Sequence, residues 1–359
     1  MGSSHSALCE TMSAAPLALS VLDLVPVRTG QTSAQAIAAS LATADAADRL
    51  GYRRYWFAEH HNMPAVASTT PPVLVAAAAA RTSRIRLGSG GVMLPNHSPL
   101  VVAEQFAALE AIAPGRIDLG IGRAPGSDPV ITQLLRQSGT TSDVDRFPDN
   151  IRDILALSSP EGASLRFTSG QEYAVRATPA AMTPPAVWLL GSSDYSAQLA
   201  ASMGLPYVFA NHFSGDGLER ALGLYRSQFR PATDGDTPRT FLTANVVVGD
   251  TDAEAHALAL PQLRMMARLR GGRPLTALET VEQAHSAEAS DGLATPLASW
   301  AAERWFVGTA DAVTERLREF AERWQVDEVM ISPVAAARDS DPMDAAPARL
   351  RTLELLAAA

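Results

Sequence analysis

Lysine is absent from this 359-residue chain, and all 29 basic residues are arginine. That excludes Schiff-base chemistry and lysine-anchored pyridoxal phosphate. Cysteine occurs once, as Cys9 in the polar opening MGSSHSALCETMSAA. Internal disulfides, cysteine zinc sites and iron–sulfur clusters are therefore excluded. Positive charge is in deficit too: 38 acidic residues leave a formal net charge of -9, with no dense arginine run. Neither nucleic acid nor an anionic membrane finds an electrostatic footprint, so a bound anion must be held locally. The longest apolar run, Pro71 to Ala80, is far short of the ~20 residues that span a bilayer, and no signal-peptide pattern opens the chain. The expectation is a cytoplasmic protein whose residues 1–15 form a flexible tail, with Met12 as an alternative start.

What is present is a chain 47% apolar and 19% charged, enough to build a large core. Short apolar runs recur at Leu17 to Leu22, Arg54 to Phe57, Ile85 to Gly88, Arg116 to Leu119, Val187 to Leu190, Tyr207 to Ala210, Phe241 to Val248 and Glu328 to Ser332. Alanine-rich helical stretches near 33–50, 69–82, 99–112, 145–157, 194–203, 216–229, 252–267 and 310–324 alternate with them, and a last helix falls near 343–357. Eight alternations predict a (β/α)8 TIM barrel, with residues 16–359 as one domain. Two insertions depart from the repeat: 158–186, with a hairpin around Arg166 to Val175, and 268–306, which reads either as a lid or as a surface excursion. Helices 69–82 and 99–112 are apolar over more than one face, which points to a homodimer through them, or to cover by the chain's own segments.

In such a barrel the chemistry sits at the C-terminal ends of the strands. The first strand ends at Asp23, a pocket candidate, although a solvated loop aspartate is the plainer reading. The second ends Glu59-His60-His61-Asn62. Alternation sends His60 and His61 to opposite faces and no third ligand is near, so no metal is expected. His60 is the candidate acid/base, while Glu59 and His61 are expected to bond loop backbone. The third strand carries Gly90-Gly91, which lets a flat ligand approach the backbone or permits unusual peptide geometry. Asn96 and His97 follow as weaker pocket candidates, with capping of the next helix the alternative. In the fourth, Gly120, Gly122 and Gly126 are spaced G-x-G-x-x-x-G, and Asp128-Pro129 stand where a dinucleotide-binding helix should begin, so a Rossmann reading fails. Arg123 among these glycines suits a phosphate or carboxylate, or else a rim ion pair. The fifth strand leads through Ser192 and Ser193 into a helix with Ser196 one turn in. Those hydroxyls and free N–H groups suit a phosphate, provided Asp194 turns away, or they simply cap the helix.

Taken in order, SVLDLVPV, GYRRYWFAEHHN, RIRLGSGGVMLPNHSPLVVAEQF, PGRIDLGIGRAPGSDP, VWLLGSSDYSAQLAASMGLP and VGTADAV closely resemble the bacterial luciferase-like flavin monooxygenases. The likeness is to the group found beside natural-product and antibiotic biosynthetic genes. It runs from about Leu17 to the final helix. The resemblance implies a barrel that takes reduced FMN from a separate flavin reductase and uses O2, through a C4a-hydroperoxyflavin, to oxygenate a small molecule such as a polyketide intermediate. By motif position Arg123, Ser192, Ser193 and Ser196 would hold the FMN phosphate. Gly90-Gly91 matches a non-proline cis peptide under the flavin ring, and His60 matches the pocket histidine that assists catalysis. Gly122 stands where luciferase has a cysteine and Ser192 where it has a glutamate, so neither light emission nor long-chain aldehyde use is implied. Alternatives are a deazaflavin-dependent hydride transfer, a non-catalytic flavin-binding protein and, last, a metal-dependent hydrolase.

Overall fold

In the computed structural model, residues 17–359 are described except 125, 127–128, 138–143 and 214. The expected tail at 1–15, Pro125 and Asp128 thus lie outside the described residues. The strands are β1 (Ala18–Asp23), β2 (Arg54–Phe57), β3 (Arg86–Met93), β4 (Ile117–Gly122), β5 (Ala163–Arg166), β6 (Glu172–Val175), β7 (Ala186–Gly191), β8 (Tyr207–Phe209), β9 (Thr240–Val248), β10 (Phe306–Gly308) and β11 (Glu328–Pro333). Parallel pairing runs β1-β2-β3-β4-β7-β8-β9-β11 and returns to β1, closing the expected eight-stranded barrel. β10 adds an edge beside Val246–Val248 of β9. β5 and β6 form the antiparallel hairpin expected in the first insertion, and their outward residues are exposed.

Strands covered by helices outside and by side chains inside must be apolar on both faces, and every residue of β2 and β4 is buried. The N-terminal end of the barrel is plugged by a charged cluster. Arg54, 3% exposed, donates from Nη1 to Asp118 at 2.8 Å and from Nε to Glu328 at 2.6 Å, under the Trp188 ring at 4.9 Å. A cavity lies at the opposite, C-terminal end of the strands.

The helices are α1 (Ser33–Leu50), α2 (Pro71–Ala79), α3 (Pro99–Ile112), α4 (Pro129–Gln137), α5 (Phe147–Ser158), α6 (Asp194–Ser202), α7 (Leu218–Gln228), α8 (Asp252–Arg270), α9 (Val281–Asp291), α10 (Ala298–Arg304), α11 (Ala310–Trp324) and α12 (Pro347–Ala358). α4 corrects one expectation: a helix does begin at Pro129, because proline at the first helical position has no N–H to lose. The second insertion holds α9 and α10. It is tied to α8 by the fully buried Arg264, whose guanidinium bonds Glu279, Glu288 and Asp291. α2 and α3 pack side by side and leave Val73, Val101 and Ile112 exposed. Among the described residues no helix is long and apolar enough to cross a membrane.

Candidate functional site

The strand tips surround a cavity of about 490 Å³. Its floor comes from the ends of β1 (Leu22, Asp23), β3 (Met93) and β11 (Ser332). Its roof is the second half of α8, with Met265, Met266 and Leu269, continued by Leu275 and Leu278. The 268–306 insertion therefore covers the cavity only by its first residues. α10 braces the rim from outside, where Arg270 stacks on Trp300 at 3.7 Å and donates to the Phe213 carbonyl at 3.0 Å.

β2 ends at Phe57, and past it alternation no longer governs: His60 and His61, expected on opposite faces, both line the cavity. His60 is half-buried and lines the cavity. Burial pulls its imidazole below the ordinary value, against a hydrogen bond to the Gly126 backbone and the charge of Glu59. The ring is neutral at pH 7, able to accept or return a proton. Glu59, 1% exposed, accepts from His61 at 2.9 Å, His97 at 2.8 Å and the Met93 N–H at 3.0 Å. Burial pushes this carboxyl up, but those bonds outweigh it and hold it at about 2.

Three expectations need correction. His97 neither caps the next helix nor lines the cavity: its ring is taken by Glu59, and Ser98 precedes α3. Asn96 is buried in the turn Leu94–Asn96, away from the cavity wall. Asp23 borders the cavity but is not a solvated loop residue. It is 1% exposed, paired with Arg349 at 2.6 Å and bonded by the Tyr55 hydroxyl. Burial pushes its carboxyl up, and Arg349 together with the Tyr55 and Ser40 hydroxyls more than offsets this, so it stays ionised.

Sequence reasoning missed His212. It follows β8 in the run Ala210-Asn211-His212-Phe213, a polar strand tip like the five that were read, and it lines the cavity.

At the rim between β4 and β7, Arg123 is exposed, and next in sequence to the cavity-lining Ala124. Its guanidinium lies 4.1 Å from the ring centre of Tyr195, on the first turn of α6. Among the described residues it has no carboxylate partner. Asp194 pairs instead with Arg220 of α7 at 2.8 Å and is drawn from the helix start. Ser192 and Ser193 are exposed, and Ser193 makes no side-chain capping bond. Ser196 differs: it is buried, and its hydroxyl donates to the Ser193 carbonyl at 2.8 Å. The Gly90-Gly91 peptide is cis. A Cβ on Gly90 would lie 2.6 Å from Leu22 Cδ1, and one on Gly91 2.8 Å from the Gly120 carbonyl, so both positions are packed against the chain's own atoms.

Residues 18–328 match the family model of luciferase-like monooxygenases. A luciferase-like monooxygenase of Escherichia coli K12 is 43% identical over 256 residues, 71% of this chain and 74% of that protein. The crystal structure of apo-MsnO8 superposes with a TM-score of 0.82 at 36% identity, covering 96% of this chain and 97% of that one. The FMN complex of the oxygenating constituent of 3,6-diketocamphane monooxygenase from Pseudomonas putida shares the fold, with a TM-score of 0.69 at 19% identity over 95% and 97% of the two chains. With the barrel, the strand-tip cavity and the ordered motifs in agreement, the chain belongs to the luciferase-like monooxygenase family.

Proposed function

We propose that this protein is the oxygenase half of a two-component system, taking reduced FMN from a separate flavin reductase and using O2 to oxygenate a small organic molecule. The residues present fit the cofactor. Arg123 has no carboxylate partner among the described residues and stands beside a helix N-terminus whose acidic residue is already paired, a donor set suited to a phosphate. Ser192 and Ser193 add exposed hydroxyls there, while Ser196 holds the turn that presents them. Gly90 and Gly91 carry no side chain that would stand between the backbone and a planar ring.

Reduced flavin, when bound, supplies the two electrons that activate dioxygen. The chain supplies the rest. Met265, Met266 and Leu269 exclude water from the chamber, which suppresses loss of reducing power as peroxide. His60, held neutral, moves a proton to or from the oxygen being transferred. Asp23 and Arg349 form a rigid, mutually neutralised part of the floor.

The observation that carries the reading is Arg123, stacked on Tyr195 of α6, without a carboxylate partner among the described residues and next in sequence to the cavity-lining Ala124. Anaerobic titration with photoreduced FMN tests it. Wild type should bind, and Arg123→Ala should bind more weakly by about 1.5–3 kcal/mol, the range for a charge-assisted hydrogen bond. Unchanged affinity removes Arg123 from the site. A preference for a deazaflavin coenzyme in the same titration would move the reading to hydride transfer. Flavin binding without any oxygenated product would make the protein a carrier.

A further inference from the structure

His212 has no part in the reaction as derived above, yet its surroundings fix what it can do. Its ring lies 5.2 Å from Phe213, which is 6.4 Å from the ring of His60, so both imidazoles border one chamber. The backbone is clamped: its N–H donates to Thr243 Oγ1 at 3.2 Å, and its carbonyl accepts from Asn245 Nδ2 at 2.9 Å. Thr243 and Asn245 are alternate residues of β9 and so share one face of the strand.

The ring's proton can be placed. His212 Nδ1 is 2.6 Å from Thr243 Oγ1. The other acceptor within reach of that hydroxyl, the Phe209 carbonyl, is 3.3 Å away and already accepts the Asn211 N–H at 2.8 Å. The Thr243 proton therefore goes to Nδ1, and the short distance fits an O–H donor. Burial, and then the charge of His60, pull the imidazole down to about 4, so the ring is neutral at pH 7. A neutral ring that accepts at Nδ1 carries its proton on Nε2. Among the described residues Nε2–H has no partner, and the ring is only partly buried. Among the described residues the two charged side chains lining the chamber, Asp23 and Arg349, are paired with each other, so it offers no net charge to an ionic ligand.

We infer that His212 anchors the substrate: its Nε2–H donates to the carbonyl oxygen of a neutral, largely apolar molecule. Calling that molecule a substrate rests on the oxygenase reading, whereas the anchoring geometry does not.

The test uses the full chain without flavin and a matched probe pair, 4-phenyl-2-butanone and butylbenzene, followed by saturation-transfer NMR. Wild type should prefer the ketone by about threefold to tenfold, the worth of one net hydrogen bond. His212→Phe should lose the preference, and His212→Gln, which keeps an N–H donor, should retain most of it. Thr243→Val, which removes the proton that sets the tautomer, should reduce it. Long-range ¹⁵N–¹H correlation should show the His212 proton on Nε2. Equal affinity for the two probes, binding of neither, an unchanged preference in a folded His212→Phe protein, or a proton on Nδ1 each overturn the inference. If His212→Phe does not fold, Thr243→Val and the tautomer measurement decide. Ketone preference in a chain that forms no oxygenated product with reduced FMN would keep the anchor and remove the oxygenase.

Discussion

Two neighbouring residues just past the end of β2, Glu59 and His60, do opposite jobs because the folded chain surrounds them differently. Glu59 is an acceptor saturated by two imidazoles and a backbone N–H, whereas His60 meets the cavity. His60→Ala should lower turnover about 10²–10⁴-fold if it moves a proton in the rate-limiting step, with reduced-FMN affinity nearly unchanged. Single-turnover kinetics check this, and an unaltered rate would make His60 a wall residue. The buried groups also set an acid limit. His212 is held at about 4 against an ordinary 6.5, so the unfolded chain binds the extra proton and stability falls as pH drops through that window. Glu59, at about 2 against 4.5, gives stability above its unfolded value and loses it as pH falls toward 2. Denaturant midpoints should therefore decline from about pH 6.5 to 4 through the His212 window and go on declining from about 4.5 toward 2 through that of Glu59. A flat profile from neutral to pH 4 would contradict the His212 assignment, and one from pH 4.5 toward 2 that of Glu59.

At the scale of elements, two devices shape the cavity. The β3–β4 contact brings backbone so close at Gly91 that a methyl group would meet the Gly120 carbonyl at 2.8 Å, which cannot swing away as a side chain can. Gly91→Ala should cost about 1–3 kcal/mol in urea unfolding, as overpacking does. Gly122→Ala should cost less, since its Cβ would meet only the flexible Met93 Sδ, at 3.2 Å. The second device is Arg264, which fastens the insertion to the helix that roofs the cavity. Its acidic partners are partly exposed and can regain water. Arg264→Met should thus loosen α9 locally rather than unfold the barrel. Hydrogen exchange over 279–291 should speed up while β1 and β11 stay protected, and uniform acceleration would show that Arg264 supports the whole fold.

For the molecule as a whole, the exposed Val73, Val101 and Ile112 on two adjacent helices mark the surface proposed for a second copy of the chain. Light scattering should give a dimer that Val101→Glu shifts toward monomer. A monomer at high concentration would remove the proposal.

Strand positions, closure into a barrel and the helix near 33–50 were open to one-dimensional reading, because period and propensity are local properties. So was the convergence of Arg123 with the start of α6, since adjacent barrel strands bring their tips together. What only the folded chain decided were partnerships between distant residues. Asp23 finds Arg349, Glu59 takes up His97, and Thr243 orients His212, over separations that no sequence spacing encodes. Burial and pairing, which set the charge of a side chain and the direction in which it can donate, arise only when such groups leave water together.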